Sequence, residues 1–387
     1  MSPNATRRLL SVHRWCGLLV STNLFVLALT GLILIFHDEI DDALGVVPEA
    51  RSGAAMISLS RALGLANATN PRNKPVFLFQ DPEEHPGLVF VGLSEGARRF
   101  EQSKPVAVDM RQGRVVEDLD LEGSFTGIVL KLHSELFAGA VGRLLVGLVA
   151  LAFLVSLISG AIVYGPMMRK FAFGLLRRDK AARTRFADLH KLLGVASLGW
   201  TLVVASTGLM LSLGSTLIQF YSVTELAALG APYAHEPVVT ELGNIDQAVQ
   251  QAEHGAAGRH WSIVALPGSD LASPRHYTVL LQGGTGLEAR VLTMALVDAK
   301  EPTRSEAHQL PLYLRALLLS EPLHFGNYGG LPLKIVWSLF SLVTIGLSVS
   351  GVWTFWLARR ERPKGLPGAL PRLDSVASAA ISHEVSS

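Results

Sequence analysis

Cysteine occurs once in this chain, at Cys16. That excludes an internal disulfide framework and a cluster held by four cysteines of this chain. Cys16 reads as a small apolar filler near a helix start. Charge is scarce as well: only 17% of residues are Asp, Glu, Lys or Arg, against 49% hydrophobic. A composition this apolar does not suit an ordinary soluble protein and points to a membrane. No Cys-x-x-Cys-His is present, which excludes a covalently attached c-type haem. The basic segments between apolar runs hold no glycine-rich dinucleotide fingerprint, so direct oxidation of a nicotinamide by this chain is not expected. The net charge of +2 says little by itself, and no nucleic-acid partner is expected.

What the chain does have is four apolar runs, at 15–36, 141–165, 191–213 and 332–357. Each approximates the roughly 20 residues that cross a bilayer as a helix. The first is too long for a typical signal core. It is followed by His37-Asp38-Glu39 and not by a small-residue cleavage site, so it is expected to stay as an anchor. Basic residues set the orientation. Arg7, Arg8 and Arg14 precede the first run; Arg169, Lys170, Arg177, Arg178, Lys180, Arg183 and Arg185 lie between the second and third; Arg359, Arg360, Arg362 and Lys364 follow the fourth. Segments 1–14, 166–190 and 358–387 are therefore expected on the cytoplasmic side of the membrane. Segments 37–140 and 214–331 are expected outside the cytoplasm.

Each outer segment reads as a small α+β domain. Strands are expected at Val76–Phe79, Leu88–Val91 and Val106–Val108, and again at Trp261–Leu266, His276–Leu281 and Val291–Val297. Amphipathic stretches at Thr126–Phe137 and Leu310–Leu319 precede runs two and four. Ile218–Ala228 resembles an interfacial helix. Gly283-Gly284-Thr285-Gly286 reads as a turn, because no helix follows to aim its N-terminus at a phosphate. The acidic group Asp38, Glu39, Asp41 and Asp42 reads as a solvated helix end. The Pro/Gly/Ser/Ala-rich tail is expected to be disordered.

Two patterns recur. His13-Arg14-Trp15-Cys16-Gly17 leads to Thr30-Gly31-Leu32, and His190-Lys191-Leu192-Leu193-Gly194 leads, at the same spacing, to Thr207-Gly208-Leu209. Leu132-His133 leads to Ser159-Gly160, and Leu323-His324 leads equally to Ser350-Gly351. The expected fold is thus membrane α-helical, four transmembrane helices in two tandem parallel repeats with two small outer α+β domains. The repeats would be related by a pseudo-twofold axis along the membrane normal. His13 and His190 then share the inner depth, and His133 and His324 share the outer one.

Two histidines at one depth across a bundle are what a bis-histidine haem requires. The expected cofactors are two b-type haems, with His13 and His190 as axial ligands of one and His133 and His324 of the other. A lone histidine at a membrane interface ordinarily snorkels to water; four in matched pairs are less easily explained so. Zinc or copper is the rival, but two histidines per level without a nearby cysteine make a poor closed zinc site. Arg143 and Lys334 occupy equivalent positions near the outer level, as propionate partners or interfacial anchors. His37 has no counterpart, since Gly214 takes its place. It is read first as a local interface residue, then as an alternative outer ligand, then as part of a substrate path. His85, His235, His254, His260, His276 and His308 are scattered in the outer segments and read as structural; His383 lies in the tail.

The His-Arg-Trp-x-Gly start, Thr30-Gly31-Leu32, the acidic outer end, Leu132-His133, Gly142-Arg143 and Leu323-His324-Phe325-Gly326 resemble the PepSY-associated transmembrane family. Val106-Ala107-Val108-Asp109 through Gly113-Arg114-Val115-Val116 is similar to the end of a PepSY repeat. The resemblance covers the chain to about Arg362 and makes the outer domains PepSY-like, though divergent. It implies a two-haem oxidoreductase that passes electrons across the inner membrane to a ferric siderophore, suspected to be of hydroxamate type, releasing Fe(II) for iron acquisition. The electron donor would be a flavin, a quinol or another protein, and lipid surrounds the spans. The competing expectations are a non-enzymatic PepSY protein that binds or restrains a periplasmic partner, and a haem electron carrier serving copper, a quinone or a periplasmic protein.

Overall fold

The structure is a computed structural model. It describes residues 2–47, 55–82, 85–96, 99–116, 120–168, 176–233, 241–256, 258–283 and 292–360, with 174, 235 and 239. The glycine-rich residues 284–286, Arg169, Lys170 and the tail from 361 lie outside these.

In chain order the helices are α1 (Pro3–Leu34), α2 (His37–Leu44), α3 (Leu59–Thr69), α4 (Phe125–Glu135), α5 (Gly139–Met168), α6 (Ala182–Ala196), α7 (Leu198–Ser212), α8 (Gly214–Tyr221), α9 (Ala227–Gly230), α10 (Ile245–His254), α11 (Leu312–Phe325) and α12 (Gly330–Arg360). The strands are β1 (Lys74–Phe79), β2 (Leu88–Ser94), β3 (Lys104–Asp109), β4 (Arg114–Val115), β5 (His260–Ala265), β6 (His276–Gln282), β7 (Thr293–Asp298) and β8 (Ser305–His308).

Helices α1, α5 and α12 each contain a stretch long and apolar enough to cross a membrane. Large side chains on them face outward, among them Leu19, Leu144, Leu148 and Leu339, as a lipid-facing surface requires. The third apolar run is not one straight helix: α6 and α7 meet at an angle of 68°. The bend has a local cause. The Ser197 hydroxyl donates to Leu193 O at 2.8 Å, and the Thr201 hydroxyl donates to Ser197 O at 2.9 Å. Back-bonding of this kind bends helices, and Gly194 and Gly199 flank it. Helix α1 packs along α5 and α12, and α5 along α7; α7 touches α12 only slightly.

The strands of both outer segments join in one eight-stranded sheet, in the order β4-β3-β2-β1-β5-β6-β7-β8. Two separate small domains were expected; the segments instead meet at an antiparallel seam where Phe77, Leu78 and Phe79 face Ala265, Val264 and Ile263. Every pairing in the sheet is antiparallel. Helices α3 and α10 cover one face and share one apolar core, including Ala62, Ala66, Leu78, Val91, Ala248, Val264 and Val279. The second segment also helps cap α3 of the first: Asp246 at the start of α10 accepts from the backbone N–H of Leu59 at 2.6 Å and of Ser60 at 3.1 Å. The opposite face rests on α8 and α11, where Tyr221, Leu226, Leu314 and Leu317 meet Leu280, Met294 and Leu296. The stretch expected as an interfacial helix at Ile218–Ala228 also supports the sheet: Tyr221 and Leu226 are buried while Phe220 and Val223 stay exposed.

Candidate paired-histidine site

Two of the sought histidines sit on the spans and two on short helices that precede them. His13 is on α1 and His190 on α6; His133 ends α4 and His324 ends α11. Both short helices stop in left-handed backbone. Leu136 and Phe137 lie at φ 49° and 57° after α4, and Gly326 at φ 74° after α11. A Cβ on Gly142 would collide with the carbonyl of Glu135, so a glycine is needed for α5 to turn back against α4.

The repeated Thr-Gly and Ser-Gly pairs receive these rings. Thr30 Oγ1 lies 2.9 Å from His133 Nδ1, and Thr207 Oγ1 lies 3.1 Å from His324 Nδ1. Ser350 Oγ lies 3.0 Å from His190 Nδ1. The fourth case differs: His13 Nδ1 is 2.8 Å from the carbonyl oxygen of Ser156, one turn before Ser159. Each glycine leaves the space in which a ring lies. A Cβ on Gly160 would sit 2.9 Å from His13 Cε1, on Gly208 3.0 Å from His324 Cε1, on Gly31 3.2 Å from His133 Cε1, and on Gly351 3.6 Å from His190 Cε1.

These contacts assign the tautomers. A carbonyl only accepts, so His13 donates from Nδ1 to Ser156 O, and His324 donates to Val204 O at 3.0 Å. The hydroxyls of Thr30 and Ser350 give their single proton to Val26 O at 2.8 Å and Leu347 O at 3.1 Å. They are therefore acceptors toward His133 and His190. All four rings carry hydrogen on Nδ1 and present a bare Nε2 lone pair, the form a metal ligand needs, and its orienting partner is already in place.

The rings meet in the expected pairs. The centroids of His13 and His190 are 6.4 Å apart with an interplanar angle of 67°, and those of His133 and His324 are 6.1 Å apart at 66°. An imidazole nitrogen binds a first-row metal at about 2 Å, and the ring centre lies about 1.1 Å behind it, so two axial imidazoles on one metal place their centroids roughly 6.3 Å apart. Both pairs fit that span. Among the described residues no group of three or more His, Cys, Asp or Glu side chains converges to hold a metal. The donor set suits a metal whose other ligands come from a macrocycle and not a closed protein site. His13 and Thr30 lie on one helix, so at 1.5 Å per residue the two levels are on the order of 25 Å apart.

Arg143 and Lys334 are both at the level nearer the sheet, in ion pairs. Arg143 Nη1 is 3.1 Å from Glu135 Oε2. Lys334, only 6% exposed, reaches across to α2 and donates to Asp38 Oδ2 at 3.1 Å and to Glu39 Oε1 at 2.8 Å. The acidic helix end is thus a clamp on Lys334 and not merely solvated. Burial pushes the Asp38 carboxyl up, but hydrogen bonding and charge from His37 and Lys334 outweigh it and hold the pKa at about 2. His37 Nε2 is 2.8 Å from Asp38 Oδ1, and its ring lies 5.8 Å from that of Phe325, which in turn lies 6.0 Å from that of His324. Ser156 and the Val204 carbonyl escaped the sequence reading. The repeat pointed to Ser159, whose hydroxyl instead donates to Val155 O, and a backbone acceptor leaves no trace in residue identity.

The arrangement defines a membrane protein whose helical bundle brings four histidines together as two facing pairs beneath a sheet. The chain belongs to the family described as the PepSY-associated TM region, whose model matches residues 10–359. It is also 34% identical over 88 residues to an uncharacterized protein of Pseudomonas aeruginosa, a match covering 23% of this chain and 22% of that relative. The aligned part is about a fifth of the relative's length.

Proposed function

We propose that this chain is an inner-membrane di-haem reductase that passes electrons outward to a ferric siderophore. The observation that carries the reading is the two histidine pairs, each at bis-imidazole spacing and each with Nδ1 engaged. His13 and His190 would hold the inner b-type haem and His133 and His324 the outer one. Haem supplies a reversible one-electron Fe(III)/Fe(II) couple at each level. A haem held by two histidines would favour electron transfer over oxygen binding. The basic segments put the His13 level at the cytoplasm and the sheet in the periplasm. The two halves are tandem repeats about an axis along the membrane normal.

The acceptor comes from resemblance to the inner-membrane ferrioxamine siderophore reductase FoxB, and the suspected substrate is a ferric hydroxamate. One electron reduces its Fe(III) to Fe(II), which such hard oxygen chelators hold less well, and iron is released. The donor is a flavin, a quinol or a protein on the inner side. The test is a reduced-minus-oxidised spectrum of the purified protein with haem quantified against chain. Low-spin b-type bands at two haems per chain, with about one haem lost on changing either member of a pair to Ala, are expected. A colourless protein from cells amply supplied with haem overturns the reading and leaves a PepSY binding role. Haem-loaded protein that leaves ferric hydroxamates unreduced overturns the acceptor alone.

A further inference from the structure

Between the two histidine levels the halves are not equivalent. Trp200 stands on α7 just past the bend, and Trp337 stands on α12, where α7 and α12 diverge. Their indoles meet edge to face, with centroids 6.4 Å apart and an interplanar angle of 84°. Trp200 also stacks on Phe340 at 5.5 Å and 18°. At the same steps of the first half stand Asn23, Val146 and Val149. Only one side of the molecule carries this aromatic column.

The column touches the turn that follows the outer ligand. The Trp337 ring lies where a Cβ of Gly326 would be, 2.7 Å away. Gly326 follows His324 by two residues, at the turn that ends α11. Toward the other level, Trp200 is ten residues past His190 on the same bent span, and Phe340 is one turn deeper on α12, the helix whose Ser350 receives His190. Packing alone does not explain two indoles here. The Nε1 atoms of Trp200 and Trp337 are both buried without a hydrogen-bond partner. An unpaired N–H inside a membrane protein costs free energy that Phe or Leu would avoid. What an indole adds over aliphatic filler is a large polarizable π system, and electronic coupling decays less steeply through packed rings than through saturated side chains.

We propose that Trp200 and Trp337 form the bridge by which an electron crosses from the inner to the outer level. This rests on the di-haem reading. With a haem at each level, one electron would pass from the inner to the outer; no bond forms or breaks, no proton moves, and the indoles stay neutral and closed-shell.

The test uses full-length, haem-loaded protein in sealed vesicles, with ferricyanide trapped inside and the impermeant reductant dithionite outside. Flow across the membrane is read from ferricyanide bleaching, and haem redox state from its absorption. Trp337→Leu and Trp200→Leu are expected to lower the flow about tenfold or more while the haem stays about half reduced, one level filled and the other drained. Haem content, low-spin spectra and both midpoint potentials are expected to stay as in the parent. Trp337→Phe and Trp200→Phe, which keep a ring, are expected to retain most of the flow. Leucine variants that conduct like the parent with both haems in place overturn the bridge and leave the di-haem reading standing. Equal losses in the Leu and Phe variants, or losses that follow haem content, overturn it as well. A parent protein without haem removes the di-haem reading and the bridge with it.

Discussion

At the scale of single residues, the site depends on what glycine lacks. Gly160, Gly208, Gly31 and Gly351 each lie beside an imidazole, but the space an added methyl would find differs from 2.9 Å at Gly160 to 3.6 Å at Gly351. Ala at Gly160 must displace the His13 ring and break its donation to Ser156 O; Ala at Gly351 makes ordinary contact. Gly160→Ala is therefore expected to lose at least half of the haem of its level, and Gly351→Ala to keep nearly all of it, as read by pyridine haemochrome assay on purified protein. Equal haem in both variants would refute the steric argument. Much of this was legible in the sequence, because glycine and hydroxyl residues recur beside the same partners. Histidine positions could be paired by spacing alone. The Ser156 and Val204 carbonyls could not be found that way, since any residue supplies a carbonyl and only the helix packing decides which one faces a ring.

At the scale of elements, the halves have exchanged partners. Arg143 pairs with Glu135 at the end of its own preceding helix. Gly326 stands where Glu135 stands in the other half, so Lys334 has no acid there and crosses to Asp38 and Glu39 on α2. Removing Lys334 leaves the partly buried Asp38 with His37 as its remaining partner. The full penalty for breaking a buried pair does not apply, because the Glu39 side chain is 51% exposed. Lys334→Met is expected to cost about 1–2 kcal/mol, seen as a thermal midpoint several degrees lower in detergent, with Lys334→Arg close to the parent. An unchanged midpoint in Lys334→Met would show that the clamp contributes nothing to stability. The bend between α6 and α7 escaped the sequence reading for a similar reason. Hydropathy records length and apolarity, and the residues that bend this span, Ser197 and Thr201, are small enough to pass as part of an apolar run.

At the scale of the whole molecule, the sheet behaves as a single cooperative unit because both segments fill one core. Its pH response follows from His276 and Asp298. Burial pushes His276 below the ordinary 6.5, its largest opposing influence being the Asp298 charge. Burial also pushes Asp298 up, but hydrogen bonds from the backbone of Glu301 and Lys300 and from Arg275 outweigh it and hold the carboxyl below 3.8. For both groups the unfolded chain takes up protons more readily than the folded one. Stability is therefore fully present above about pH 6.5, declines as His276 is driven toward its charged form, and declines again below about pH 4 as Asp298 protonates. Hydrogen exchange of the β6 and β7 peptides, corrected for intrinsic rates, is expected to show less protection at pH 5.5 than at pH 7.5. Protection that is flat over this interval would contradict the assignment. Individual strands were readable from alternation and turns, but their joining was not, because nothing in β1 or β5 alone names its neighbour across the seam.

That seam sets an order of events during synthesis. β1 precedes β5 by most of half the chain, so at 5–20 residues per second its outer edge waits roughly 10 to 40 s for its mate. Over that interval the nascent protein shows an open strand edge, a template for mispairing, and the two imidazoles of its first half, His13 and His133, face no counterpart. Neither histidine pair is complete until α6 and α11 have arrived, so both are assembled only late in biogenesis. A ribosome-stalled intermediate carrying only the first half is a ward for membrane chaperones, with one ring of each pair and no partner for either.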